Sequence, residues 1–377
     1  MPKHVLFFVH GIGRHAAGWA REAGGPIDTL KKAALLYDCF HGLDLEDELD
    51  MVEIRYDDIF DAHLDQWAAL ADQLKAAPAG SARFNRINDL LARVGDDRNT
   101  FACFGGDVLL YTGFELIAKR VRLRVNAVIA EKVNSALVAS RDQLGGDPEF
   151  GIVAHSLGTT VAHDSLEQLA DNAWLPQDGA FLASLPLSDS QKKRVTELMQ
   201  QGAANPFAPP GFVWDCIMMV SNTSRLLCQS AMSPYQSCVK PGPGGVTRNF
   251  INVDNRLDPV SKPMQFNLPA RWDGGVQILV DHIHAANIHG FAHYLEHPAV
   301  HGPLFRLLVP HFTATCFDQS KALAASYPKW GDAFPPGGPR ELLEKKLAQL
   351  VTDFQGAALT RFTDLLEDYT KKIGMPT

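Results

Sequence analysis

Short runs of consecutive apolar residues, bounded by turn-forming residues, punctuate the chain at His4–His10, Leu49–Tyr56, Phe150–Ala154, Phe212–Ser221, Arg248–Asp254 and Val276–His284. Most are apolar without alternation, the pattern of strands buried on both faces of a parallel sheet. Stretches with helical spacing separate them. After Gly18, the segment Trp19–Tyr37 sets Ile27, Leu30, Ala34 and Tyr37 three and four residues apart. Thr159–Ala170 puts Val161, Ser165, Leu166 and Leu169 on one face. Alternating β and α units joined by right-handed crossovers predict the α/β class, with a doubly wound, mostly parallel sheet of about six strands flanked by helices.

Two excursions break this rhythm. Residues 56–145 far exceed the usual crossover of about a dozen residues and read as a helical insertion. Its pieces are Asp61–Ala76, Phe84–Val94 and Asp107–Ser140, the last broken at Gly113. Residues 171–211 form the second excursion, ending in Asn205-Pro-Phe-Ala-Pro-Pro-Gly211. Each has two readings, a cap over a site at the strand ends or a helical decoration on the sheet edge. Pro234–Gly245 is a Pro- and Gly-rich surface loop. Past Pro310 the character changes: Pro335–Pro339 reads as a linker, and Arg340–Ile373 as one amphipathic helix. That helix carries Leu343, Leu347, Leu350, Val351, Phe354, Ala358, Phe362 and Leu366 near a 3.6-residue period. It either packs back on its own domain or forms a seam with a partner, which makes a homo-oligomer one expectation. The chain thus divides into a main domain, 1–310, and a C-terminal helical extension, 311–377.

Composition sharpens this mainly by exclusion. Apolar residues make up 46% and charged residues 21% of the 377, an ordinary globular balance. A formal charge of −8 gives no electrostatic case for a nucleic-acid partner. No run reaches the roughly 18 apolar residues of a transmembrane segment. Val5–Val9 is shorter than the roughly 7–15 residues of a secretory core. The six cysteines include no Cys-x-x-Cys, which predicts reduced thiols and a cytoplasmic setting. Cys228 and Cys238 are the pair whose spacing would allow a bridge.

The chemistry begins at Phe150-Gly-Ile-Val-Ala-His-Ser-Leu-Gly-Thr-Thr160, a strand running through a tight turn into a helix. Small residues two before and two after Ser156 fit a nucleophile elbow, Gly-x-Ser-x-Gly with Ala154 in the first glycine's place. Upstream, Val9-His10-Gly11-Ile12-Gly13 ends the first strand in a glycine turn. The amides of Ile12 and Leu157 are the candidate oxyanion donors. A phosphate-binding turn is the alternative for these glycines. The dinucleotide fingerprint is not met, because Ala16 stands where the third glycine belongs. Downstream, Asn255-Arg-Leu-Asp-Pro-Val260 offers Asp258 as the orienting acid, with Asp254 as the alternative and a turn-capping role as the structural one. The segment Asp281–Pro298 is dense in histidine. His289 is favoured as the base because Gly290 permits an unusual backbone beside it; His293, His284 and His282 follow. His155 reads as a packed neighbour and His10 as a brace for the glycine turn. His289, His293, His297 and His301 recur every four residues, which would align metal ligands on one helix. No His-Glu-x-x-His pattern accompanies them, so neither a metal nor an organic cofactor is predicted.

The order Val-His-Gly-Ile-Gly, Ala-His-Ser-Leu-Gly, Asp-Pro-Val and His-Gly-x-x-His-Tyr-Leu resembles the α/β-hydrolase superfamily, in short blocks over residues 1–310. The stretch Ala154–His163 is similar to elbows of its lipase, esterase and phospholipase-like branches. The resemblance implies an α/β-hydrolase fold, here beginning at what is usually the third strand. It also implies the chain order Ser, acid, His, which Ser156, Asp258 and His289 satisfy. The activity it implies is hydrolysis of a carboxylic ester, of a small molecule or a lipid, through an acyl-enzyme. The same triad would equally serve acyl transfer or an amide or thioester substrate. A catalytically inactive hydrolase-fold scaffold is the alternative outside enzymology.

Overall fold

All six apolar runs become strands: β1 (His4–Val9), β2 (Leu49–Ile54), β3 (Phe150–His155), β4 (Trp214–Val220), β5 (Thr247–Asn255) and β6 (Gly275–Val280). The computed structural model describes residues 3–11, 13–63, 108, 110–141, 146–176, 179–201, 205–229, 233–256, 258, 265–282 and 289–328. The strands form one sheet in the order β2-β1-β3-β4-β5-β6, every neighbouring pair parallel. Register brings their carboxyl ends level. Val9 lies opposite Ala154, His155 opposite Val220, Val220 opposite Val253, and Asn255 opposite Val280. The loops leaving β1, β3, β4, β5 and β6 therefore emerge along one edge.

Period-two alternation divides the core between the two faces of the sheet. Val5, Phe7 and Val9 of β1 point to one face with Ile152, Ala154, Ile217 and Met219. Leu6 and Phe8 point to the other with Val153, Met218, Val220, Val253 and Ile278. Because both faces are apolar, both must be covered. The principal helices are α1 (Pro26–Ala34), α2 (Glu115–Ser140), α3 (Leu157–Asp171), α4 (Asp189–Gln201), α5 (Phe291–Leu295), α6 (Pro298–Leu308) and α7 (Ala314–Ser326). Residues of α2, α3 and α4 join the first cluster, and residues of α1, α5, α6 and α7 the second. The chain is an α/β protein with an all-parallel sheet between two helical layers. After β1 the chain steps outward to β2, then returns across β1 to β3. The strand order reverses between β1 and β3, the crevice where open α/β sheets characteristically place ligands.

Several expectations need correction. The helix read across Trp19–Tyr37 starts only at Pro26. Gly24 has φ 81°, and proline, lacking an amide hydrogen, takes the first helical position rather than an interior one. Residues 17–20 instead form turns, with the Ile27 amide bonded to the Ala20 carbonyl. The break read at Gly113 falls at Phe114, whose φ of −130° interrupts the helix. α2 follows, buried at Ile117, Val121, Val125 and Ile129 and packed against β1, α3 and α4, so this part of the insertion covers the sheet. Most of the pieces at Asp61–Ala76 and Phe84–Val94 lies outside the described residues, as do Pro335–Pro339 and Arg340–Ile373.

The expectation of reduced thiols throughout is overturned. Cys39, just after α1, and Cys316 in α7 are joined by a disulfide whose Cα atoms lie 6.6 Å apart. The pair is separated by 277 positions, so only tertiary packing brings it together. Cys238 is a free thiol, and the bridge from Cys228 does not form. No helix among the described residues is long and apolar enough to cross a membrane.

Candidate active site

Ser156 sits between the last residue of β3 and the first of α3, with φ 55° and ψ −130°. A non-glycine residue at positive φ costs on the order of 1–3 kcal/mol and persists only where its surroundings fix it. Its carbonyl accepts the Thr159 amide at 2.9 Å and the hydroxyls of Thr159 at 2.6 Å and Thr223 at 2.9 Å. Its amide donates to the Val220 carbonyl at 3.0 Å. The elbow is thus held by β4 and the loop after it as well as by its own helix.

Two glycines make the turn sterically feasible. A Cβ on Gly158 would overlap the carbonyl oxygen of His10, so α3 can start against the end of β1 only without a side chain there. A Cβ on Gly11 would come within 2.8 Å of the Ser156 Cβ. Gly158→Ala is therefore expected to destabilise the fold by at least ~2 kcal/mol through overpacking against immobile backbone. A urea melt measures this, and a midpoint equal to wild type would refute the close-approach account.

His289 leaves the loop after β6 and reaches back to the elbow. Its Nε2 lies 2.9 Å from Ser156 Oγ, and its Nδ1 lies 2.8 Å from Asp258 Oδ2. The three residues named from sequence as nucleophile, base and acid are hydrogen-bonded in that order. Asp258 is fully buried and His289 keeps about a quarter of its side chain exposed. A buried carboxylate needs donors. Besides His289, Asp258 Oδ2 accepts the Ser221 hydroxyl at 2.8 Å and the Tyr294 hydroxyl at 2.5 Å. Burial, and then the Asp258 charge, push the Tyr294 phenol well above its usual pKa, so it remains a donor. Ser221 follows β4 with φ 50°, a second strained serine beside the first.

Of the two candidate oxyanion donors, Leu157 opens α3, where first-turn amides lack intrahelical acceptors. Ile12 lies outside the described residues. Its neighbours are held firmly. His10 Nδ1–H donates to the Gly11 carbonyl at 2.7 Å, and its Nε2 accepts the Tyr56 amide at 3.3 Å. The His10 carbonyl accepts the Tyr56 hydroxyl at 2.6 Å. The ring is stacked on Tyr56 and on His15, each at 4.1 Å. Burial, reinforced by the neighbouring His15, lowers its pKa to about 3, so His10 stays neutral and braces the glycine turn.

The four-residue histidine series dissolves into separate structural roles. His282 and His293 stack at 4.2 Å, and each donates its Nε2–H to the other's backbone carbonyl, at 3.0 and 3.2 Å. His297 Nδ1 accepts the Ala299 amide at 3.1 Å, capping α6. His301 Nδ1–H donates to the Leu295 carbonyl at 2.8 Å while its Nε2 accepts the Tyr37 hydroxyl at 2.6 Å. The helix ends at Leu295 and a new one starts at Pro298, so no continuous face exists to align the rings. His284 lies outside the described residues.

Among the described residues, two groups bring three possible metal-ligating atoms within 4.8 Å of one another: His10, His15 and Asp57, and His163, Asp164 and Cys228. Asp57 accepts the His15 amide and lies 3.4 Å from His15 Nδ1. Asp164 accepts the Tyr111 hydroxyl at 2.9 Å and the Gln229 amide at 3.0 Å. Hydrogen bonds thus already engage both carboxylates.

Asp254, the alternative acid, is buried in β5 away from His289. Its Oδ2 accepts the amides of Asn252 at 2.9 Å and Gln277 at 3.0 Å, and its Oδ1 has no partner among the described residues. Burial raises its pKa from 3.8 to about 7. Between those values the folded chain holds a proton that the unfolded chain releases, so this group's contribution falls as pH rises. Asp254→Asn should therefore gain stability over wild type as pH rises from 4 to 8, by on the order of 2–4 kcal/mol. Melting curves across that range test the sign, and a gap that narrows with rising pH would contradict it.

Sequence reasoning missed Ser221, Thr223, Tyr294 and the bond made by His155, all of which act through contacts between distant segments. No family model matches the chain, and no curated protein matches it. A solved structure, of an uncharacterized protein from Pseudomonas aeruginosa, is similar at 9% identity with a TM-score of 0.26. The likeness covers 94% of this chain and 53% of that one, so the chain spans about half its length, and it is too slight to bear on fold or activity.

Proposed function

We propose that this protein is a serine hydrolase of the α/β-hydrolase superfamily, cleaving a carboxylic ester through an acyl-enzyme. The observation that carries the reading is the continuous chain of hydrogen bonds from Ser156 Oγ through His289 to Asp258. A serine hydroxyl attacks a carbonyl only if a base removes its proton as the bond forms. His289 Nε2 is within reach to take that proton, and Asp258 fixes the tautomer in which Nε2 is free to accept it. The imidazolium that forms is stabilised by the buried carboxylate. The developing oxyanion is received by the amide of Leu157 and that of Ile12, where loss of one donor typically costs ~10²–10³ in rate. His289 then returns the proton to the leaving alcohol, and water repeats the sequence to release the acid. The substrate class is an ester of a small molecule or a lipid.

The test is labelling with a fluorophosphonate, followed by mapping of the adduct by mass spectrometry and turnover of an ester panel of increasing acyl length. A phosphonyl group on Ser156 and hydrolysis of at least one ester are expected. A folded protein that neither labels nor turns over any ester would favour the inactive scaffold. Turnover only with an added nucleophile would favour acyl transfer.

A further inference from the structure

His155, directly before the nucleophile, is the last residue of β3 and is nine-tenths buried. Its Nε2 lies 2.6 Å from the backbone carbonyl oxygen of His289. A carbonyl can only accept, so His155 carries its proton on Nε2 and leaves Nδ1 as the acceptor. The ring lies flat on Phe291, two residues past His289, with centroids 4.9 Å apart and planes 13° from parallel. It also meets the His289 ring at 4.7 Å. On its other side a Cβ at Gly11 would stand 3.2 Å from its Nδ1. One side chain thus lies beside Gly11 in the turn after β1, ends the strand that leads into the elbow, and bonds to the backbone of the base.

We propose that His155 is a positioning residue for the reaction, its Nε2–H holding the His289 backbone so that the imidazole meets Ser156. This rests on the serine-hydrolase reading of the site. His282, just after β6, and His293, in α5, are tied to each other by reciprocal bonds on either side of the segment that carries the base. The bond from His155 fixes the residue that must align with the hydroxyl. The ring is suited to this because it stays neutral: burial, and then repulsion by a charged His289, push its pKa well below the usual histidine value. It therefore keeps one donor while His289 gains and loses a proton beside it, and it does not compete for the serine proton.

The experiment compares wild type with His155→Leu, which removes the donor, and His155→Gln, whose side-chain amide can donate from a similar reach. The readouts are the fluorophosphonate labelling rate at Ser156, kcat and KM on one ester, and the melting temperature. A misplacement of about 1 Å costs ~10²-fold, so His155→Leu should lower kcat and labelling by ~10–10² with KM within about twofold. His155→Gln should recover most of that loss. Equal rates in wild type and His155→Leu, or a glutamine variant no better than leucine, would overturn the proposal. Absence of labelling and turnover in wild type would instead fail the hydrolase reading itself, and this role with it. Should His155→Leu not fold, ¹⁵N NMR of the wild-type imidazoles decides independently. The neutral His155 ring is expected to carry its proton on Nε2, and a neutral ring with its proton on Nδ1 would refute the bond.

Discussion

Removing the Ser156 hydroxyl by Ser156→Ala is expected to lower ester turnover by roughly 10⁶, with His289→Ala falling to about the same level. The double variant should fall no further. The serine without its base is a neutral alcohol, and the base without the serine has no nucleophile to activate. Each deletion therefore removes the whole relay, and the effects do not add. What survives, roughly 10³–10⁴ over water, belongs to substrate binding and the oxyanion donors. Stability separates this from a folding defect. Alanine at φ 55° is as strained as serine, so Ser156→Ala should melt near wild type. Ser156→Gly relieves the strain and should melt higher, by about 1 kcal/mol of added stability. Steady-state rates on one ester, with unfolding curves for wild type and the four variants, test both expectations. Single variants whose losses multiply in the double would mean that Ser156 and His289 do not act as a unit.

The parts of this site legible in the sequence are those written locally. Strands buried on both faces must be continuously apolar, so all six were readable, with ends off by one to four residues where the last side chain leaves the sheet. The elbow was readable because close approach of β1 and α3 demands a small residue at Gly158. Order along the chain then pointed to Asp258 and His289. It could not decide between Asp258 and Asp254, since one lies just past the end of the strand and the other at its end, and only the turn after Asn255 brings the first to His289. Tyr294 and Ser221 carry no local signature: a tyrosine in an apolar helix reads as core, and Ser221 as a strand end. His155 was readable only as a packed neighbour, because its partner is a backbone carbonyl 134 positions away. The disulfide was hidden for the same reason.

Asp258→Asn is expected to lower turnover by roughly 10⁴ while leaving the fold intact. The carboxylate oxygen that faces His289 also accepts from Ser221 and Tyr294, so three donors converge on one atom. An asparagine can keep its oxygen there and satisfy all three, which is why the fold should survive. What disappears is the negative charge that stabilises the imidazolium formed as His289 takes the serine proton. If the amide turns instead, its NH₂ faces Nδ1 and selects the tautomer with the proton on Nε2, which cannot accept from Ser156 Oγ. Both outcomes act on kcat rather than on binding. Tyr294→Phe keeps the charge and removes one of the three donors, so its loss should be far smaller, on the order of tenfold. Asp254→Asn supplies the decisive contrast, because that carboxyl bonds Asn252 and Gln277 rather than His289. Its turnover should stay within a few-fold of wild type while its stability at alkaline pH rises. Rates on a single ester for the three variants rank these roles. A larger loss from Asp254→Asn than from Asp258→Asn would reassign the acid, and equal activity in all three would dismantle the relay on which the serine-hydrolase reading depends.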